Sequence, residues 1–213
     1  MPTFLCLPGL RTNREFMSYQ LEAAGWNELC DLVTVNPFHR ADKPADKDVA
    51  RHLTETAVFQ WFFFDEDRAR EAKSETDFSA LAFSGHEESV AWVVAELQKG
   101  DYDGILCFSQ GSIIGAAIIY LQQQGRVAPV VKKAIFVSGL YAPWMYSGMQ
   151  DATSFNVPSL HITSTADFLY SRSLNLYCRF EKALQIEHDR GHRFPRLSSL
   201  SEKDQRTLRD FVN

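Results

Sequence analysis

Gly104-Ile105-Leu106-Cys107-Phe108-Ser109-Gln110-Gly111-Ser112 carries a short apolar run into a turn of small residues, and a long helical pattern follows it. The run Ile105 to Phe108 has no polar interruption, as expected of a strand covered on both faces. Ile113, Ile114, Ala117, Ile118 and Leu121 then recur on one helical face before Gly125. A serine on such a strand-turn-helix corner has its hydroxyl pushed out above the sheet, open to a base on one side and a substrate carbonyl on the other. The stretch departs from a full Gly-x-Ser-x-Gly pattern at one place, because Cys107 stands where the first glycine would be. The bland alternative for Ser109 is a simple helix cap.

The same grammar extends outward. Phe4 to Leu7, Leu32 to Val35, Ala134 to Val137 and Leu160 to Thr163 are further apolar runs bounded by turn formers, with a weaker one at Leu184 to Glu187. Helical segments lie between them. Thr12 to Glu15 has capping-box form and opens a helix that Gly25 stops. Val90, Val93, Val94 and Leu97 form a stripe before Gly100, and a last helix opens at Ser201 and buries Leu208, Phe211 and Val212. Continuous strands interleaved with helices predict an α/β protein with a mostly parallel central sheet and helices on both faces. No repeat or linker divides residues 1–213, so a single domain is expected, with 41–85 as a variable segment lining or covering a site.

In such a sheet ligands bind beyond the carboxyl ends of the strands, so the residues there are the candidates for chemistry. A serine hydroxyl needs a base to take its proton, and the base needs a third group to orient it. Three strand ends supply these in the order Ser109, then Asp167, then His192 in Gly191-His192-Arg193. Asp167 also suits a turn or cap, and His188, His161 and His39 compete with His192. His161 lies inside a strand and His188 directly ends one, whereas the loop position of His192 lets it fold back over the serine. An oxyanion formed at Ser109 needs two backbone donors. The Gln110 amide is one candidate, and the Leu10 amide after Pro8-Gly9 is the other, with Arg11 as its alternative.

Composition narrows the partners. The 213 residues carry a formal charge of -5 and are 45% hydrophobic, with no basic cluster for nucleic acid and no apolar run of membrane-spanning length. The four cysteines are scattered without a Cys-x-x-Cys pair, and Met1 to Leu7 reads as an immediate strand rather than a secretory leader. A reduced, cytoplasmic protein without stable membrane insertion is expected. The six histidines offer no metal-ligand spacing.

On these residues the chain resembles the "family of serine hydrolases" group, small proteins of the α/β-hydrolase fold without a large separate cap domain. The likeness spans nearly the whole sequence. It rests on Phe4 to Asn13, Gly85-His86-Glu87-Glu88-Ser89, Phe108-Ser109-Gln110-Gly111, Val137-Ser138-Gly139, Pro158 to His161, Asp167 and Gly191-His192. The elbow alone is also similar to that of acyl-protein thioesterases and carboxylesterases. The resemblance implies Ser109 as nucleophile, Asp167 as acid, His192 as base and no cofactor. It implies hydrolysis of a carboxylic ester or thioester, either a small molecule or an acyl chain borne on a carrier. Two positions depart from the family pattern: Pro8 stands where histidine is common, and Cys107 replaces the first elbow glycine.

An acyl group needs apolar walls beside the polar groups. Trp61, Phe62, Phe63 and Phe64 are candidates on one side, and Leu140, Tyr141, Trp144, Met145, Tyr146 and Met149 on the other, with core packing as the alternative for the phenylalanine run. The sequence thus predicts an esterase or thioesterase whose activity falls at acidic pH as His192 protonates. The competing expectations are an acyl-protein or phospholipid thioesterase-like hydrolase and a ligand-binding pseudo-hydrolase.

Overall fold

The structure, a computed structural model, describes residues 1–53, 57–65, 68–69, 82–151 and 154–213. The chain begins with β1 (Thr3–Leu7), α1 (Arg14–Ala23) and β2 (Asp31–Thr34). Short pieces follow: β3 (His39–Arg40), α2 (Lys47–Ala50), β4 (Phe59–Gln60), β5 (Phe63–Phe64) and β6 (Phe83–Ser84). Regular alternation resumes with α3 (His86–Lys99), β7 (Gly104–Phe108), α4 (Gln110–Gln123), β8 (Ala134–Val137), β9 (Ser159–Ser164), α5 (Tyr170–Tyr177), β10 (Ala183–His188) and α6 (Glu202–Val212).

Six strands form one sheet in the order β10-β9-β8-β7-β1-β2, and every neighbouring pair is parallel. Because side chains alternate along a strand, the sheet buries two separate layers. Leu5, Leu7, Ile105, Cys107, Ala134 and Phe136 pack with α3, α4 and α5 on one face. Phe4, Cys6, Leu106, Phe108, Ile135, Val137, Leu160 and Ile162 pack with α1 and α6 on the other. Each such aliphatic or aromatic side chain contributes roughly 1.5–3 kcal/mol by leaving water, and the continuous apolar runs follow from this two-sided burial.

Two expectations need correction. The α1 cap is Asn13, whose Oδ1 accepts from the Phe16 N–H at 2.9 Å. Thr12 is not the cap; its hydroxyl instead donates to the Gly9 carbonyl at 2.8 Å, which ties down the turn after β1. Phe211, expected to be buried by α6, is only partly covered, while Leu208 and Val212 are fully buried. The Ser201 cap is present, accepting from the Asp204 N–H at 3.1 Å.

Of segment 41–85, residues 54–56, 66–67 and 70–81 lie outside the described residues. The described remainder contributes to two small antiparallel ladders, β3 with β4 and β5 with β6. The first is joined to the loop after β1, where the Phe59 N–H donates to the Thr12 carbonyl at 2.8 Å.

Candidate active site

The strand order has its switch point between β1 and β7. The chain turns to opposite faces after these two neighbours, into α1 and into α4, and so opens a crevice between their carboxyl ends. Pro8-Gly9-Leu10 forms one lip and Ser109 the other.

Ser109 follows β7 directly, and its N–H still donates to the Val137 carbonyl at 3.1 Å. Its backbone then breaks to φ 51° and ψ -118°, neither helical nor extended. A non-glycine residue in that region is strained by about 1–3 kcal/mol and persists only where its surroundings enforce it. The enforcement is visible. The Ser109 carbonyl accepts from the Ser112 N–H at 3.0 Å and from the Ser112 hydroxyl at 2.5 Å, and Leu140 N–H donates to that hydroxyl at 2.6 Å. Gly111 permits the close crossing, since a Cβ there would stand 2.3 Å from the Leu7 carbonyl oxygen. Gly9 brings the opposite lip up to the elbow, with its Cβ position 3.3 Å from Ser109 Cβ.

The loops after β9 and β10 bring Asp167 and His192 together, with Nδ1 of the ring 2.8 Å from Asp167 Oδ2. The other carboxylate oxygen accepts from the Leu169 N–H at 2.9 Å, which ties down the turn ahead of α5. Burial alone would raise the Asp167 pKa. The His192 ring, the Leu169 amide and the nearby Ser138 hydroxyl outweigh it and hold the carboxyl below its usual range. Ser138 lies fully buried at φ 49°, and among the described residues its hydroxyl makes no hydrogen bond of good geometry.

With an ionised acceptor at Nδ1, the imidazole proton belongs on Nδ1 and Nε2 is the basic nitrogen. The ring packs between Phe108 (centroids 4.9 Å apart) and Phe168 (5.4 Å), adjacent to the serine. Among the described residues no hydrogen bond joins the Ser109 hydroxyl to that ring; such catalytic contacts commonly tighten only in the substrate complex.

The competing histidines lie elsewhere. His188 accepts from the Arg190 N–H at 3.1 Å, and burial lowers its pKa despite Asp189 and Asp167 nearby. His161 is buried between Phe136 and Phe180, and desolvation drives its pKa down to about 3. His39 Nε2 contacts the Gly85 carbonyl at 2.7 Å. Among the described residues no group of three His, Cys, Asp or Glu side chains converges as metal ligands would.

Gln110 opens α4, so its N–H has no carbonyl partner one turn earlier within the helix. Leu10 faces it across the crevice, and both line an apolar cavity of about 120 Å³ together with Phe64, Leu140 and Trp144. Phe62, Phe83, Ile113, Tyr141 and Arg172 complete the lining. Arg11 takes φ 52°, so the loop turns sharply just after Leu10.

Five of the expected wall residues lie outside the lining. Phe63 does not face the cavity, and Met145, Tyr146 and Met149 are part of the core. Trp61 is fully buried; its indole N–H donates to the Pro8 carbonyl at 2.8 Å and its backbone N–H to Gln110 Oε1 at 2.9 Å. The Ser89 hydroxyl donates to the Trp61 carbonyl. Trp61 therefore clamps the two lips of the crevice rather than lining the cavity, because its polar atoms find their partners below the surface.

Sequence reasoning missed Ser164. Its buried Oγ accepts from the Gly191 N–H at 2.9 Å and the Ala166 N–H at 3.3 Å, and so joins the loops that carry Asp167 and His192. The only sequence signal was its position at a strand end.

A parallel sheet with this switch point and an elbow serine defines the α/β-hydrolase class. The profile of the family described as "Serine hydrolase (FSH1)" matches residues 1–204, and the chain belongs to that family. It is 31% identical to human Esterase OVCA2 over 90% of this chain and 88% of that protein. It is 32% identical to Esterase C25G4.2 of Caenorhabditis elegans over 67% of this chain and 66%, just under two thirds, of that protein. Zea mays acyl-protein thioesterase 2 shares the fold at 16% identity and TM-score 0.57, over 99% of this chain and 92% of that one.

Proposed function

We propose that this chain is a serine hydrolase that cleaves a carboxylic ester or thioester through an acyl-enzyme on Ser109. The observation that carries the proposal is the 2.8 Å Asp167–His192 pair packed on Phe108, beside a serine strained out of regular geometry. His192 Nε2 takes the hydroxyl proton as Ser109 Oγ attacks the acyl carbon. The Leu10 and Gln110 amides receive the oxyanion. The tetrahedral intermediate collapses, the bond to the leaving oxygen or sulfur breaks, and His192 returns the proton to it. Water then repeats the sequence and releases the carboxylic acid. Asp167 stays ionised and stabilises the imidazolium throughout.

The name "esterase" of the human and nematode relatives supports this reading, as does family membership. The acyl group would enter the apolar cavity walled by Phe64, Leu140 and Trp144. Substrates would be small-molecule esters or thioesters, carrier-borne acyl chains included, and among the described residues no helix is long and apolar enough to cross a membrane.

A fluorophosphonate probe tests the assignment. Wild type should label and turn over p-nitrophenyl butyrate, Ser109→Ala should do neither, and Asp167→Asn should lose roughly 10³–10⁴ in kcat while remaining folded. Labelling that persists in folded Ser109→Ala would remove the nucleophile from the proposal.

A further inference from the structure

A second cleft, of about 690 Å³, lies on the other face of the sheet from the apolar cavity and shares no lining residue with it. It runs between α1 and the loop after β10, and His192 forms part of its wall. From this geometry we infer that it receives a phosphate-bearing leaving group: the thiol or alcohol that departs from the acyl chain carries a phosphate, and the cleft binds it. This inference rests on the hydrolase assignment above.

The charge of the wall is the first reason. The chain as a whole is acidic at -5, yet Arg190, Arg193 and Arg196 all line this cleft. Arg190 meets Asp189 at 3.3 Å with both side chains exposed, which leaves it largely free for an anion. Arg193 and Arg196 make no ion pair among the described residues. A guanidinium fork matches phosphate geometry in a way that a carboxylic ester or a bare acyl chain does not use.

The second reason is that the wall is fixed before anything binds. Phe194 and Pro195, between Arg193 and Arg196, are buried. Phe194 stacks on Phe108 at 5.0 Å, the indole of Trp26 donates to the Pro195 carbonyl at 3.0 Å, and Leu197 N–H donates to the Ala24 carbonyl at 2.9 Å. The arginines therefore project from an anchored loop, so their backbone ordering costs nothing further at binding.

The third reason is chemical. The proton taken from Ser109 must be handed by His192 to the departing sulfur or oxygen, so the leaving group has to lie on the His192 side. The acyl chain then takes the opposite side, where the cavity is apolar. In the full reaction the Ser109 Oγ–acyl bond forms as the acyl–sulfur or acyl–oxygen bond breaks, and the leaving group departs as the protonated thiol or alcohol. Water then cleaves the acyl-serine, and the acid leaves with Ser109 restored.

Two matched pairs of substrates test this. Butyryl-coenzyme A is compared with the uncharged butyryl-N-acetylcysteamine thioester, and 1-butyrylglycerol 3-phosphate with 1-butyrylglycerol. In wild type, kcat/KM should favour the phosphate member of one pair or both by about tenfold or more. The thioester pair reports a thiol carrier and the glycerol pair a phospholipid-like alcohol. The preference should shrink as salt is raised, shrink in Arg193→Ala/Arg196→Ala, and survive better in Arg193→Lys/Arg196→Lys. The salt series uses wild type alone, so it does not depend on either variant folding. Turnover of the neutral members with no phosphate preference, or a preference indifferent to salt, overturns the inference and leaves the hydrolase assignment standing. Absence of turnover on every ester, with no Ser109-dependent label, overturns both.

Discussion

Cys107 shows how one residue can depart from a motif without dissolving it. It is fully buried on the strand before the elbow, where a glycine would let strand and helix cross closely. The missing room is returned by Gly115 on α4, where a Cβ would stand only 2.7 Å from the Cys107 sulfur and 3.0 Å from Ile105 Cδ1. The two positions form a size pair, so their substitutions should couple. Gly115→Ala should destabilise the protein by about 1–3 kcal/mol through overpacking. Cys107→Ala in that background should recover part of the loss, although alone it only removes a buried sulfur. Urea midpoints of the two single variants and the double variant give the coupling. Strict additivity would show that Gly115 does not accommodate the cysteine.

At the scale of elements, the apolar cavity is assembled from pieces far apart in sequence. Phe83 of β6 stacks on Trp144 of the loop after β8, with centroids 5.8 Å apart and planes at 27°. Phe64 of β5 packs on Phe83 at 6.3 Å. Trp144→Ala would remove one face of that stack and widen a cavity of only about 120 Å³. The variant should shift kcat/KM toward longer acyl chains by roughly tenfold relative to short ones, the scale on which a pocket distinguishes a methylene or two. A series of p-nitrophenyl esters of increasing chain length measures this, and an equal change on all of them would argue against acyl contact.

These pieces also mark what could be read in advance. β7, β8 and α4 were legible because continuous apolar runs and bounding glycines leave little choice of structure. The order of Ser109, Asp167 and His192 was legible because a parallel sheet converts chain order into positions along one rim. The two-residue strands β3 to β6 were not, since they exist through partners such as Thr12 and Ser84 rather than through any pattern of their own. Nor was α5, whose sequence Tyr-Ser-Arg-Ser-Leu-Asn-Leu-Tyr buries only Ser173 and Leu176 and begins without a side-chain cap. Trp61 looked like a wall because aromatic residues serve walls and cores alike. Its hydrogen bonds to Pro8 and Gln110 decide the matter, and they appear only once the chain is folded.

Taken as a whole, the molecule buries a titratable ring on β9, one strand in from the edge of its sheet. His161 on β9 is 1% exposed, stacked on Phe136 at 5.1 Å, and its only polar partner among the described residues is Ser159 Oγ at 3.0 Å. Burial lowers its pKa from 6.5 to about 3. The unfolded chain therefore binds a proton below about 6.5 that the folded chain refuses until the pH nears 3. Stability is fully present above the upper value and falls as the pH drops toward the lower one, with a slope of about 1.4 kcal/mol per pH unit. Asp167 adds a later loss, because its folded pKa lies below the ordinary 3.8 and the stability it contributes disappears only in stronger acid. His161→Phe keeps the ring stack and abolishes the titration. Urea unfolding at pH 7.5, 6 and 5 should then show wild type losing stability about one proton's slope faster than the variant. Parallel lines for the two proteins would mean that His161 takes up its proton in the folded core as readily as in the unfolded chain.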